Sequence, residues 1–420
     1  MKVWRRSRDE GMDILAKRRH AGDRKVSIML AGMILTLCLS MIPADCARAA
    51  DETMLSMYRR AVDFPQGDLS RLANVLRKAQ NGEEITIGFL GGSITEGRGA
   101  ADIQDCYVSQ VYKWWYDTFP QAAINVINAG VGGTSSYLGV HRVGDELLVH
   151  SPDLVFVEFA VNDTATQLCR NTYENLIRKI LMSESDPALV LLFATNEAGD
   201  SSEEIEAALG RYYDLPMISY GKAVLPEIEA GSFAWYEIAE DIVHPNNRGH
   251  SIFAGLITAY LEEICSRLDS IEIDEGRLHR YELPEPLTPQ SYQDAHIENA
   301  STLTPEAELG YGVYDFNYHF MDNWYALEED SYLSFEVEAE NIGILYQRTE
   351  EGTFGQYDVY VDGVCVRTLD GNFVKYEGTE TEAEELYVSP DGEKARHVIT
   401  IVKNPLSVNT DFVIIGLLVS

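Results

Sequence analysis

A serine in a glycine-rich turn is the first group in this sequence that could do chemistry. Gly91-Gly92-Ser93 follows residues 85–90 (ITIGFL), an apolar run of the kind that forms a buried strand. A hydroxyl exposed at such a turn can attack a carbonyl carbon, and the serine's own backbone N–H can donate to the oxyanion that develops. The same turn could instead bind phosphate or simply reverse the chain, although no lysine follows at the spacing of a P-loop.

Two further turns carry groups that could donate to an oxyanion. Gly133 ends the sequence NAGVGG after the predicted strand at 124–128, and Asn162-Asp163 follows the predicted strand at 154–159. Glycine permits close approach of the backbone, so the Gly133 N–H is a candidate donor, and the Asn162 amide is a donor without charge. Each also has a purely structural interpretation, as a tight turn or as a turn-forming Asn-Asp pair.

Asp241 and His244 share one loop directly before a predicted helix at 247–268. A nucleophilic serine needs a base to accept its proton, and that base needs a group that orients its other ring nitrogen. An Asp-x-x-His loop can supply both. Metal ligation and a plain surface position are the alternatives. No second His or Cys stands at ligand spacing, so we expect no metal.

The elements around these turns alternate between strand and helix. Alternation of this kind predicts an α/β fold with a parallel central sheet covered on both faces, a flavodoxin-like three-layer sandwich. Ligand sites of such sheets lie at the carboxyl ends of the strands, which is where the candidate turns fall. The predicted strands are 85–90, 124–128, 154–159, 189–193 and 217–219, and the predicted helices are 70–80, 107–118, 137–150, 173–183, 202–213 and 247–268.

This set of turns resembles the SGNH (GDSL-like) hydrolase superfamily across residues 85–268, and in particular its bacterial carbohydrate esterases with an accessory β-domain. Ser93 matches the nucleophile of the first block, Gly133 the glycine of the second and Asn162 the asparagine of the third, while Asp241 and His244 match the last pair. The resemblance implies a Ser93–His244–Asp241 triad and an oxyanion hole formed by Ser93, Gly133 and Asn162. It also implies a carboxylic ester hydrolase that needs no cofactor.

Two positions depart from the superfamily pattern. Gly92 stands where the Gly-Asp-Ser signature has an acidic residue, and Ala160 stands where many members have glycine in the third block. Neither change removes a catalytic group. We expect the methyl group of Ala160 to be tolerated, although it could narrow the site.

The sequence changes character after residue 270. We assign residues 50–270 to the catalytic SGNH domain, 271–290 to a proline-punctuated linker, and 291–420 to an all-β sandwich, because short alternating segments replace helical periodicity there. Asp362-Gly363 between two such segments predicts a two-residue hairpin. Trp324 in this region either stacks on a sugar or packs in the core.

The first 49 residues differ in charge from the rest of the chain. They hold 10 of the 33 Lys and Arg residues but 5 of the 67 Asp and Glu residues, and an apolar run at 26–43 is followed by Ala47-Arg48-Ala49. This order is typical of a secretory signal peptide, and we expect a secreted protein. The run at 26–43 could instead stay uncleaved as an N-terminal membrane anchor.

Export, the appended β-domain and the lack of a long apolar lid favour an O-acetyl ester on carbohydrate as substrate. The partner we expect is therefore an acylated polysaccharide or oligosaccharide. The net charge of −34 argues against nucleic acid, and membrane contact would come only from an uncleaved N-terminal segment. The alternatives are an acyltransferase acting on a cell-surface or extracellular glycan, a lipase or general acylhydrolase, and a catalytically idle glycan-binding protein.

Overall fold

The computed structural model describes residues 2–4, 44–62, 67–279, 283–317, 319–374, 378 and 380–420. Its first part has the predicted alternation of strands and helices. The strands are β1 (Lys2–Trp4), β2 (Glu84–Gly91), β3 (Ala123–Gly130), β4 (Leu154–Glu158), β5 (Ala188–Phe193) and β6 (Met217–Ser219). The helices are α1 (Ala44–Ala61), α2 (Ser70–Gln80), α3 (Ser93–Glu96), α4 (Tyr107–Thr118), α5 (Ser136–Glu146), α6 (Gln167–Leu181), α7 (Glu203–Tyr212), α8 (Tyr220–Glu229), α9 (Trp235–Ile238), α10 (Asn247–Ser266) and α11 (Glu275–Leu278).

The central sheet has the order β1-β3-β2-β4-β5-β6, in which β2 to β6 are parallel and β1 pairs antiparallel with β3. The apolar strands are buried on both faces, because helices cover each side of the sheet. Phe89 and Phe156 belong to the core on one side, whereas the adjacent Leu90 and Val157 belong to the core on the other. This arrangement confirms the predicted three-layer α/β sandwich.

The register of the sheet brings the candidate turns to one edge. Gly91 at the end of β2 pairs with Gly130 at the end of β3 and with Glu158 at the end of β4. Three turns therefore leave the sheet side by side, as is expected where parallel strands end together.

The C-terminal part is an antiparallel β-sandwich, as predicted. One sheet has the order β15-β12-β17-β10-β9 with β7 added to β17, and the other has the order β14-β13-β16-β11-β8. The strands are β7 (His296–Glu298), β8 (Ala307–Leu309), β9 (Tyr311–Tyr314), β10 (Asn323–Ala326), β11 (Tyr332–Ala339), β12 (Asn341–Gln347), β13 (Gln356–Val361), β14 (Val364–Asp370), β15 (Thr381–Val388), β16 (Ala395–Lys403) and β17 (Phe412–Val419).

The position of Trp324 in the sandwich decides between sugar stacking and core packing. Its side chain is only 1% exposed, and its ring lies 4.8 Å from that of Phe335 between the two sheets. Trp324 is therefore a core residue, and the sugar-stacking hypothesis for it was wrong. The predicted hairpin is confirmed, because Val361 pairs with Val364 across Asp362 and Gly363, which both have positive φ.

The segment between the two units packs against both of them. Tyr292 and Ala295 are buried in one cluster that also contains Tyr137 of α5 and Leu345 of β12. Polar groups of α6 hold the same segment, since Asn175 Nδ2 donates to the Pro289 carbonyl over 2.9 Å. The described part of the predicted linker, together with the residues after it, forms an ordered strap between the catalytic unit and the sandwich.

The N-terminal predictions fall partly outside the described residues. The apolar run at 26–43 lies outside them, and the small residues of the expected cleavage site lie in the first turns of α1. Further along α1, Met57 and Ala61 are buried in the core of the catalytic unit. Within the described ranges, none of the helices is both long enough and apolar enough to cross a membrane.

Candidate active site

Ser93, His244 and Asp241 form a continuous hydrogen-bonded chain. The Ser93 Oγ lies 3.0 Å from His244 Nε2, and His244 Nδ1 lies 2.7 Å from Asp241 Oδ2. Ser93 is the first residue of α3 and is 5% exposed, while the His244 side chain is 17% exposed. The structure thus joins two sequence motifs that are 151 residues apart. Such an arrangement can remove a proton from a hydroxyl and hold the imidazole in one orientation.

The loop that carries Asp241 and His244 is fixed at both ends. Residues Ala239 and Pro245 form an isolated antiparallel β-bridge, and the Trp235 indole donates to the Asp241 carbonyl over 2.7 Å. Asn246 then caps α10 by accepting from the backbone N–H groups of its first turn. These contacts fix the loop, so the Asp241 carboxylate and the His244 imidazole keep their relative positions.

Hydrogen bonds keep Asp241 ionised. Partial burial would raise its pKa, but donation from the His244 ring and from the backbone N–H groups of His244 and Val243 outweighs this effect, and the pKa of Asp241 is lowered. An ionised carboxylate at this position favours the tautomer of His244 that carries its proton on Nδ1. The Nε2 atom is then free to accept the proton of Ser93.

The candidate oxyanion donors lie around Ser93. A Cβ atom placed on Gly132 would be 3.8 Å from Ser93 Cβ, so the turn that contains Gly133 runs past the serine, and Gly133 has a φ of +70° that favours glycine. Asn162 approaches from the end of β4. A Cβ atom on Gly92 would lie 2.5 Å from Asn162 Oδ1.

The contact between Gly92 and Asn162 gives a physical reason for the first departure from the superfamily pattern. Any side chain at position 92 would displace the Asn162 amide as it is placed in this structure. The second departure does not have the narrowing effect that we allowed for. Ala160 is fully buried and its methyl group belongs to the hydrophobic core, so it does not narrow the site.

A cluster of buried acids lies behind the Asn162 turn. Burial, together with the nearby Asp163, raises the pKa of Glu158 to about 7 despite hydrogen bonds from the backbone of Ala194 and Ala160. Burial also raises the pKa of Asp163 to about 7 despite hydrogen bonds from Ser136. Burial and these two carboxyls together raise the pKa of Glu206. The cluster therefore retains protons at pH values where surface carboxyls are ionised.

One side chain of the β-sandwich reaches the rim of this site. His319 Nε2 lies 3.0 Å from Glu96 Oε1, and Glu96 ends the single-turn helix that Ser93 begins. The Glu96 carboxylate also lies beside the second turn, because a Cβ atom on Gly132 would be 2.9 Å from its Oε2. No spacing in the sequence predicted this contact between residues 223 positions apart.

Comparison with known proteins identifies the family of this chain. Residues 89–252 match the model of the GDSL-like lipase/acylhydrolase family. A crystal structure of a two-domain esterase (CEX) active on acetylated mannans, co-crystallised with mannopentaose, is 30% identical to this chain, and the match covers 86% of this chain and 97% of that one with a TM-score of 0.78. The chain belongs to the GDSL-like lipase/acylhydrolase family.

A second structure of such an esterase gives the same result. It is 31% identical, and the match covers 86% of this chain and 98% of that one, again with a TM-score of 0.78. The similarity extends over both units of the GDSL-like hydrolase described here and so includes the sandwich. A search of curated proteins found no match.

Membership in the family makes this protein a carboxylic ester hydrolase. Among the residues that the structure describes, no group of three or more His, Cys, Asp and Glu side chains is arranged to hold a metal ion. The four cysteines within the described ranges, Cys106, Cys169, Cys265 and Cys365, are all free thiols.

Proposed function

We propose that this GDSL-like hydrolase is an exported esterase that removes O-acetyl groups from a mannan-type polysaccharide. The observation that carries the catalytic part is the hydrogen-bonded chain from Ser93 through His244 to Asp241, with distances of 3.0 and 2.7 Å. The two structures similar over both units are esterases active on acetylated mannans, which supports the substrate class.

Acylation begins when the Ser93 hydroxyl attacks the ester carbonyl carbon. His244 Nε2 accepts the hydroxyl proton, and the Asp241 carboxylate stabilises the imidazolium that forms. The negative charge that develops on the carbonyl oxygen is met by the backbone N–H groups of Ser93 and Gly133 and by the Asn162 amide. His244 then returns the proton to the sugar oxygen as the C–O bond breaks, and acetyl-Ser93 remains.

Deacylation repeats these steps with water. His244 takes a proton from a water molecule, whose oxygen attacks the acetyl carbonyl carbon, and the same donors stabilise the second oxyanion. Collapse of this intermediate returns the proton from His244 to Ser93 and releases acetic acid, which ionises to acetate in water. The enzyme ends the cycle unchanged, and no cofactor takes part.

The charge of the protein is consistent with a neutral polymer as substrate. The chain has a net charge of −34, which would repel an acidic polysaccharide such as unesterified pectin. Acetylated mannans carry no charge, so they meet no such barrier.

Acetate release from a panel of acetylated polymers tests the proposal. We expect the wild-type enzyme to release acetate from acetylated mannan faster than from acetylated xylan or pectin, and Ser93→Ala to lose at least roughly 10⁴-fold in kcat on p-nitrophenyl acetate. Equal activity of the two proteins would rule out the catalytic assignment. A preference for xylan would rule out the mannan assignment alone.

Export is tested separately. We expect the full chain, expressed in a bacterial host, to be recovered outside the cytoplasm with a new N-terminus near Ala49, as read by mass spectrometry. An intact N-terminus in the membrane fraction would instead indicate that residues 26–43 remain as an anchor.

A further inference from the structure

Arg142 is a buried cation whose hydrogen bonds reach the two strands that lead into the site. It lies in α5, and its side chain is 0% exposed. One guanidinium nitrogen, Nη2, donates to the Gly91 carbonyl over 2.9 Å, and the other, Nη1, donates to the Ala129 carbonyl over 2.6 Å. Burial of a charge is costly unless it is paired, and Glu146 Oε2 lies 2.6 Å from Nη1.

The two carbonyl groups occupy adjacent positions at the site edge of the sheet. Gly91 ends β2 two residues before Ser93, and Ala129 lies in β3 four residues before Gly133. Leu90 pairs with Ala129 and Gly91 with Gly130, so the guanidinium spans neighbouring strands at the last residue of β2 and the second-last residue of β3. The Gly91 carbonyl also accepts from the Val131 N–H over 3.0 Å, which ties the second turn to the first.

We infer that Arg142 is a positioning residue that sets the distance between the nucleophile turn and the oxyanion turn. A planar guanidinium donates in two fixed directions, so it holds both carbonyl groups at once, which an ammonium group cannot do with the same geometry. The inference rests on the proposed catalytic roles of Ser93 and Gly133. It concerns a residue that touches neither the substrate nor the reacting atoms.

The distance between the two turns matters because oxyanion stabilisation depends closely on where the donors lie. Donors act when they lie about 2.7–3.1 Å from the oxyanion, and a displacement of roughly 1 Å can lower the rate about 10²-fold. Loss of Arg142 would release the two turns from each other while leaving every catalytic side chain in the protein. The expected signature is a fall in kcat with little change in KM.

Arg71 provides a matched control in the same unit. It is also buried, at 7% exposed, and donates to backbone carbonyls, including that of Pro187 over 3.0 Å. Pro187 precedes β5, so this arginine acts at the opposite edge of the same sheet. We therefore expect Arg71→Met, like Arg142→Met, to lower stability, but without altering the site.

The experiment compares Arg142→Met, Arg142→Lys and Arg71→Met with the wild type in the full chain. Thermal unfolding followed by circular dichroism gives a temperature at which each variant is folded, and kcat and KM for p-nitrophenyl acetate are measured there. We expect kcat to fall roughly 10- to 100-fold in Arg142→Met and less in Arg142→Lys. We expect KM to stay within about threefold of the wild type and Arg71→Met to keep the wild-type kcat.

Each outcome bears on the inference. If Arg142→Met retains as much kcat per folded molecule as Arg71→Met, Arg142 is not a positioning residue. If Arg142→Met does not fold, the same comparison is made with Arg142→Lys, and failure of both to fold beside a folded Arg71→Met would make its role purely structural. An inactive wild type would instead contradict the proposed function.

Discussion

The catalytic unit and the β-sandwich contribute to the active site in different ways. The catalytic unit supplies the five candidate site residues from four turns, and each turn follows a strand or precedes a helix at one edge of a parallel sheet. Among the described residues of the sandwich, His319 contributes a contact with Glu96 at the rim. Parallel strands bring distant motifs together by topology, whereas a second domain can contribute only where its surface meets the site. The first contribution should control the chemistry and the second the fit of a large substrate.

The largest effect should come from the orienting carboxylate of the catalytic unit. Asp241→Asn keeps the size of the side chain but favours the wrong tautomer of His244, so we expect kcat on p-nitrophenyl acetate to fall roughly 10⁴-fold. Glu240→Gln, a change at the exposed neighbouring position, is the control and should leave kcat unchanged. A loss of less than tenfold in Asp241→Asn would mean that His244 does not depend on this carboxylate.

A smaller but still large effect is expected at Gly92. Gly92→Ala places a methyl group against Asn162 Oδ1, which should move one oxyanion donor and lower kcat about 10²- to 10³-fold. Gly144→Ala is the matched control, because a Cβ atom there would meet only the end of the Lys179 side chain at 4.0 Å. Kinetics on p-nitrophenyl acetate measure both. If Gly92→Ala keeps the wild-type kcat, catalysis does not depend on the position that the Asn162 amide has in this structure.

The sandwich should show its effect only on a polymer. His319→Ala removes the hydrogen bond to Glu96, so we expect kcat/KM on acetylated mannan to fall about tenfold while activity on p-nitrophenyl acetate changes less than about threefold. His296→Ala is the control, because His296 pairs with Glu298 on the same strand, β7. A double-mutant cycle with Glu96→Gln measures the coupling of the pair. Equal losses on both substrates would contradict the division between chemistry and fit.

The smallest effect concerns stability and belongs to the catalytic unit. Glu158 has an ordinary pKa of 4.5 that burial raises to about 7. At a pH between these two values the unfolded chain releases a proton that the folded protein keeps. The contribution of Glu158 to the free energy of unfolding is therefore complete below the lower pKa and is lost as the pH rises through the higher pKa. We expect the Tm of the wild type to fall over this window, and Glu158→Gln to reduce the fall by roughly 3 °C.

The measurement for this last prediction is thermal unfolding at several pH values. Glu204→Gln is the control, because Glu204 is exposed on α7 and should leave the pH dependence as it is in the wild type. If Glu158→Gln has the same pH dependence as the wild type, the proton is not held at Glu158 but elsewhere in the cluster of Glu158, Asp163 and Glu206.

The sequence predicted the parallel sheet and the positions of the turns because apolar strands and glycine turns are local patterns. It could also place Ser93, Gly133, Asn162, Asp241 and His244 at one edge, since parallel strands end together. It could not predict Arg142 or His319, whose roles depend on which carbonyl or carboxylate lies opposite in space. The sequence also favoured a linker where the structure has a packed strap, because prolines punctuate both kinds of segment.

The strap also bears on how this protein could have evolved. Tyr292 and Ala295 share one apolar cluster with α5, α6, β12 and β17, so each unit covers part of the other's interior surface. A recombination event that separated the two coding regions at this point would leave that surface open in both products. We therefore expect the pair to be inherited together, as a single genetic unit, rather than exchanged as independent cassettes.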